Sequence, residues 1–184
     1  MYVVTYKGRF AFIKPWTAVR DGETFSQQFL TPSIIEGIEK KLFPELLNVP
    51  GIHKIQRHKL KYDSMDSQQE VTQPRGWEYK NRTFIRERSV LTRSVLLNPV
   101  LYIAFEKEED AISASKQHVC VCRNEDMLLP ESEIRVMEEE QFNQLPGFEL
   151  RFGESEQSFL VGYNRFNDNQ PMFGWIEYNG QSLL

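Results

Sequence analysis

Residues 29–44 read FLTPSIIEGIEKKLFP, and this stretch constrains the fold more than any other. Pro32 suits the first turn of a helix, and Thr31 or Ser33 can cap it. Ile34, Ile35, Ile38, Leu42 and Leu46 recur at the three- and four-residue spacing of one buried face. Pro44 bends or ends the helix. Gly37, inside it, would allow close packing on a sheet. Two segments of alternating pattern flank the helix, YVVTYKGRFAFI and GIHKIQRHKLKY. Residues 2–14 predict a strand in which Gly8 marks a bulge or a close approach. Residues 51–62 predict a strand with one wet, positive face.

The remaining pattern extends this order. Residues 14–29 form a polar loop with a turn signal at Asp21-Gly22, and residues 63–81 read as a loop or hairpin tip. Residues 82–106 hold one or two strands, and Pro99 argues for a bulge or an edge there. Residues 107–116 suit a short helix. HVCVC suits a strand that points Cys120 and Cys122 to one face as buried free thiols. PESEIRVMEEEQFNQLPG reads as a capped acidic helix, and FELRF, SFLVGYNRF and MFGWIEY as short strands. The predicted class is α+β. A ferredoxin-like (RRM/RAMP) domain over residues 1–116, with a basic loop at 63–93, precedes a small antiparallel β-rich extension. That extension spans residues 117–184 and includes an acidic helix near 131–144. No apolar run reaches the ~18 residues of a membrane span, and the charged N-terminus is unlike a signal peptide. A cytoplasmic protein without membrane contact is expected.

Charge is unevenly placed. Residues 1–105 carry 16 Lys and Arg against 10 Asp and Glu, whereas residues 106–156 carry 5 against 14. Such asymmetry points to an anionic partner for the basic part. The densest stretch runs from His53 to Arg93, with Tyr62, Trp77, Tyr79 and Phe84 interleaved. Basic groups neutralise phosphates and aromatic faces stack on unpaired bases, so single-stranded RNA is the matching ligand. The candidate RNA-binding residues are Lys54, Arg57, Lys59, Arg82, Arg86, Arg88 and Arg93. A solvated basic face with a few core aromatics would give the same composition. His53, His58 and His118 offer acid–base chemistry, but His53 and His58 are five apart and face opposite sides of a regular strand. The acidic runs EKEED and MEEEQ read as solvated faces. The sequence contains no P-loop, nucleophile elbow, zinc spacing or dinucleotide fingerprint, and neither metal nor cofactor is expected.

Four stretches resemble the Cas-five family of CRISPR-associated RAMP proteins, most closely its type I-C variant. RFAFIKPWTAVRDGETFSQQFLTPSIIEGIEKKLF is similar to that family's first strand, loop and P-S-A-x-x-G-I-L-E-A-I helix, with Pro32, Ser33, Gly37 and Ile38 matching. HKIQRHKLKYDS resembles the second strand, which carries a basic I-R-R-N-E-V, and Arg57 falls on its second Arg. LTRSVLLNPVLYIAFE resembles the Q-R-A-x-x-L-L-R-x-V-x-Y-x-I strand, with Arg93, Val100 and Tyr102 in register. MFGWIEY resembles the closing G-x-M-L-Y-D-I strand. The resemblance implies binding of the CRISPR RNA 5′ handle, beside the large subunit and the neighbouring backbone subunit of a type I interference complex.

In type I-C the family member also cuts precursor RNA without a metal. It uses a Tyr at the end of the first helix and a Lys-His pair before the Q-R-A strand. Here those places hold Phe43, Leu91 and Thr92, which supply neither proton transfer nor charge stabilisation. Tyr62, His58 and Lys80 are the reserve candidates for those roles. The resemblance thus leaves three readings: a handle-binding subunit that does not cut, a metal-independent endoribonuclease, or a phage-borne mimic that displaces the subunit as an anti-CRISPR inhibitor.

Overall fold

Alternating apolar residues at the N-terminus form β1, Tyr2–Lys7, in which Val3, Val4 and Tyr6 are all buried. The computed structural model describes residues 1–15, 22–72, 76–86, 89–164, 167–179 and 181–182. After β1 come β2 (Phe10–Ala11), β3 (Glu23–Phe25), α1 (Pro32–Leu42) and a single 3₁₀ turn (Pro44–Leu46). Then follow β4 (Ile55–Lys61), β5 (Ser64–Thr72), β6 (Glu78–Lys80), β7 (Thr83–Ile85), β8 (Ser89–Leu97) and β9 (Val100–Phe105). α2 (Glu108–Ala114), β10 (Val119–Cys120), β11 (Met127–Val136) and α3 (Glu139–Asn143) come next. β12 (Phe148–Phe152), β13 (Phe159–Asn164), β14 (Gln170–Tyr178) and β15 (Gln181–Ser182) complete the order.

Among the described residues, the main sheet runs β10–β11–β1–β9–β4–β12–β14–β13, with β15 beside β14. Its pairings are antiparallel. A smaller sheet centres on β8, which pairs antiparallel with β2 and β5 and parallel with β3. β6 and β7 form a separate hairpin. The chain is a mixed α+β protein, mostly antiparallel sheet with few helices. Among the described residues no helix is long and apolar enough to cross a membrane.

Both faces of the main sheet are covered. On one, Val4, Tyr6, Leu101, Ile103 and Phe105 pack with Ile35, Ile38 and Leu42 of α1 and Ala111 and Ala114 of α2. Each large side chain removed from water there contributes roughly 1.5–3 kcal/mol. The Tyr6 hydroxyl donates to the Ala114 carbonyl at 2.8 Å, so α2 is tied to β1. On the other face, Val3, Tyr102 and Ala104 meet Phe142 of α3. Glu39, fully buried on α1, fixes the entry to β4: its carboxylate accepts the backbone N–H groups of His53, Lys54 and Ile55 at 2.8, 2.6 and 2.8 Å.

Several expectations are corrected. Within the region 63–93, residues 64–72 and 89–93 are paired strand rather than loop, because β5 and β8 pair without a break from Ser64↔Leu97 to Thr72↔Ser89. Residues 131–136 are strand, and helix begins only at Glu139. The ladder from Tyr2↔Val136 to Lys7↔Leu129 outweighs local helix preference there. Residues 117–184 do not form a sheet apart, since β11 pairs with β1 and β12 pairs with β4. In HVCVC it is Val119 and Val121 that are buried, while Cys122 is exposed. A side chain added at Gly37 would meet open space, so that glycine permits no close approach. Gly8 does: a Cβ there would lie 2.8 Å from the Met127 carbonyl oxygen.

Candidate nucleic-acid interface

The β6–β7 hairpin turns at Asn81 and Arg82, with φ of 52° and 61°. Two consecutive left-handed residues are what a tight two-residue hairpin loop requires, and Asn tolerates that region well. The register pairs Glu78 with Ile85, Tyr79 with Phe84 and Lys80 with Thr83. Strand alternation then puts Trp77, Tyr79, Phe84 and Arg86 on one face. The rings of Tyr79 and Phe84 stand 5.0 Å apart, and the Arg86 guanidinium lies 5.1 Å over Trp77. Trp77, Tyr79 and Phe84 are 64, 66 and 65% exposed. Three large aromatic side chains left this open mark an interaction surface. With the Arg86 guanidinium on the same face and the exposed Arg82 at the turn, the chemistry on offer is stacking on flat rings and pairing with anions.

The other candidate cations have different places. Arg57 is only 7% exposed: its Nε and Nη2 donate to the two Glu149 oxygens at 2.8 and 2.7 Å. Nη1 donates to Glu139, and Nη2 also to Asn143. Burial works against its charge, but the Glu149 carboxylate outweighs this and raises its pKa further. Lys59 is fully buried and donates to the Asn143 and Leu145 carbonyls at 2.8 and 3.1 Å, closing the C-terminal end of α3. Burial pulls its pKa below the ordinary lysine value. Neither group is available to a phosphate, and the face of β4 that carries them is not wet, because α3 lies over it and Glu149 of the neighbouring β12 pairs with Arg57. Lys54 lies 4.0 Å over the Phe43 ring and bridges Glu45 and Asp110, each at 2.8 Å. Arg93 donates to Glu70 at 2.7 Å. Arg88 lies outside the described residues.

The reserve catalytic residues are dispersed. His58 is buried within β4, its Nε2 has no hydrogen-bond partner among the described residues, and burial pushes its pKa down to about 4. It is thus a neutral core histidine, buried away from any ligand. Tyr62 stacks on Phe148 at 6.0 Å, and burial raises its pKa. Lys80 is on the exposed hairpin. His53 precedes β4 and its Nε2 is 2.9 Å from the Pro50 carbonyl. Phe43, just past the end of α1, is buried edge-on against Phe105. Among the described residues, no group of three His, Cys, Asp or Glu side chains is arranged to hold a metal ion.

Sequence reasoning missed the acidic partners. Glu39 sits with Ile35, Ile38 and Leu42 on the apolar stripe of α1, and that position is a legible signal for a buried carboxylate. Glu70 and Glu149 carry no such local signal, because their partners Arg93, Arg123 and Arg57 are distant in the chain, whereas Asp126 lies three residues from Arg123 and that spacing was readable. No protein-family model and no curated protein matches this chain.

Proposed function

We propose that this chain is a ferredoxin-like, RAMP-type protein that holds single-stranded RNA on the β6–β7 hairpin without cutting it. Its resemblance to the Cas-five family makes the CRISPR RNA 5′ handle the ligand and a type I interference complex the setting. The exposed face of Trp77, Tyr79, Phe84 and Arg86 carries this reading. Stacking on unpaired bases is the chemistry that such a face supplies. The fold supports it through the strand order β11–β1–β9–β4, with α1 joining β1 to β4 and α2 leading from β9 toward β11. Absence of cleavage is favoured by the buried Phe43 ring and by the dispersal of His58, Tyr62 and Lys80.

A mimic that occupies the subunit's place is the second reading. It is favoured by the internal pairing of Arg57 and Lys59, which leaves less positive charge for RNA. The test is fluorescence anisotropy with a labelled CRISPR repeat RNA in EDTA, followed by a denaturing gel. Binding that falls steeply with salt, and an intact RNA, are expected. One defined cut would overturn the non-cleaving reading, and no binding would overturn the RNA reading. In that second case, inhibition of a reconstituted type I-C complex would establish the mimic.

A further inference from the structure

We propose that Glu70 is a positioning residue that aims the aromatic hairpin, by holding Arg93 and Arg123 together at its base. The inference rests on reading the hairpin as the RNA-binding face. Glu70 lies on β5 opposite Leu91 of β8, close to where the ribbon gives way to the hairpin. Its Oε2 accepts Arg93 Nε at 2.7 Å, and its Oε1 accepts Arg123 Nη1. Arg93 stands on β8, so the first contact ties the two strands of the ribbon. Arg123 comes from the segment between β10 and β11, so the second ties the ribbon to the main sheet. Arg123 is itself held by the fully buried Asp126, through Nε at 2.9 Å and Nη2 at 2.7 Å. Both guanidinium carbons lie over the buried Phe12 ring, at 5.0 and 5.4 Å.

Beyond this clamp, packing is sparse. Val71, Val90, Trp77, Tyr79 and Phe84 are each more than half exposed. With so little packed surface of its own, the hairpin depends on the end of the ribbon to which the chain joins it, and in this proposal the clamp sets its direction there. The clamp also explains why Arg93, a candidate phosphate ligand, is turned toward Glu70.

Positioning and simple electrostatics predict opposite signs. Deleting a carboxylate near a polyanion should strengthen binding if charge alone matters, whereas loss of aim should weaken it. The test uses the full chain, a labelled ten-nucleotide oligouridine and anisotropy at several salt concentrations at 10 °C, with circular dichroism alongside. Glu70→Gln should weaken binding about tenfold with an unchanged slope of log K against log salt. Arg93→Lys, which keeps the charge but loses the planar fork, should do the same.

Equal or tighter binding by Glu70→Gln would overturn the proposal. So would a slope for Arg93→Gln lower by ~0.7, the value for one lost single-strand phosphate contact. A purely structural role would lower the melting temperature and leave the affinity of the folded variants unchanged, which also overturns it. Absence of binding by the unaltered chain would remove the RNA reading itself, a result distinct from binding that Glu70 does not influence.

Discussion

Arg57 and Glu149 meet as a two-pronged ion pair inside the main sheet, and the same carboxylate accepts the backbone N–H of His58 at 3.2 Å. Breaking such a pair from one side leaves a buried charge without its partner. Arg57→Ala should therefore cost about 3–5 kcal/mol of stability in urea unfolding, and Glu149→Gln a comparable share. Replacing both with apolar residues of similar volume should restore much of that loss. RNA affinity of the folded Arg57→Ala protein should be unchanged, because the guanidinium faces Glu149 and not solvent.

Glu39 predicts a second loss of stability. Its carboxylate serves three backbone N–H groups at the entry to β4. Glu39→Ala leaves all three donors without this partner, the Ile55 N–H in a buried position, at about 1–3 kcal/mol for each group that water cannot reach. Glu39→Gln keeps one acceptor oxygen and should fall between that variant and the parent. Thermal melts of the two variants would check the order.

His58 makes stability depend on pH. The unfolded chain takes up a proton near the ordinary histidine pKa of 6.5, whereas the folded chain refuses it until about 4. The unfolded state binds more protons between those values, so stability falls as pH drops from about 6.5 toward 4. The loss across that window is roughly 3 kcal/mol, at 1.36 kcal/mol per pKa unit. His58→Leu should flatten the dependence. Chemical denaturation at pH 7, 5.5 and 4.5, with and without the substitution, measures it.

The hairpin residues should separate function from folding. Trp77→Ala, Tyr79→Ala and Phe84→Ala each remove an exposed ring, so stability should change by less than about 0.5 kcal/mol. RNA affinity should fall by about 1–3 kcal/mol for each ring on which a base stacks. Stability loss without affinity loss in paired melts and titrations would contradict the assignment.

Much of the fold was legible because it rests on local periodicity. α1 begins at Pro32 and ends before Pro44, so the two prolines mark its limits, while the Thr31 side chain at the N-cap position makes no capping hydrogen bond. The alternation in residues 2–14 and 51–62 marks β1 and β4. Residues 131–136 were misread because their acidic, helix-like composition is overridden by pairing with a strand 130 residues away. The candidate cations were legible as a set but not one by one. Composition cannot separate Arg57 and Lys59, which close the end of α3 and neutralise Glu149, from Arg82 and Arg86, which face solvent. That distinction lies in Glu149 and Asn143, and only the assembled sheet brings them near.

β1 pairs on one side with β9 and on the other with β11. During synthesis from the N-terminus, its second edge therefore stays open until residues 127–136 have emerged. The centre of the main sheet is completed by the last third of the chain, and most of its pairings link distant segments. Such an arrangement delays completion of the sheet until distant segments meet, and refolding in milliseconds to seconds is expected, as for other sheets built from long-range pairings.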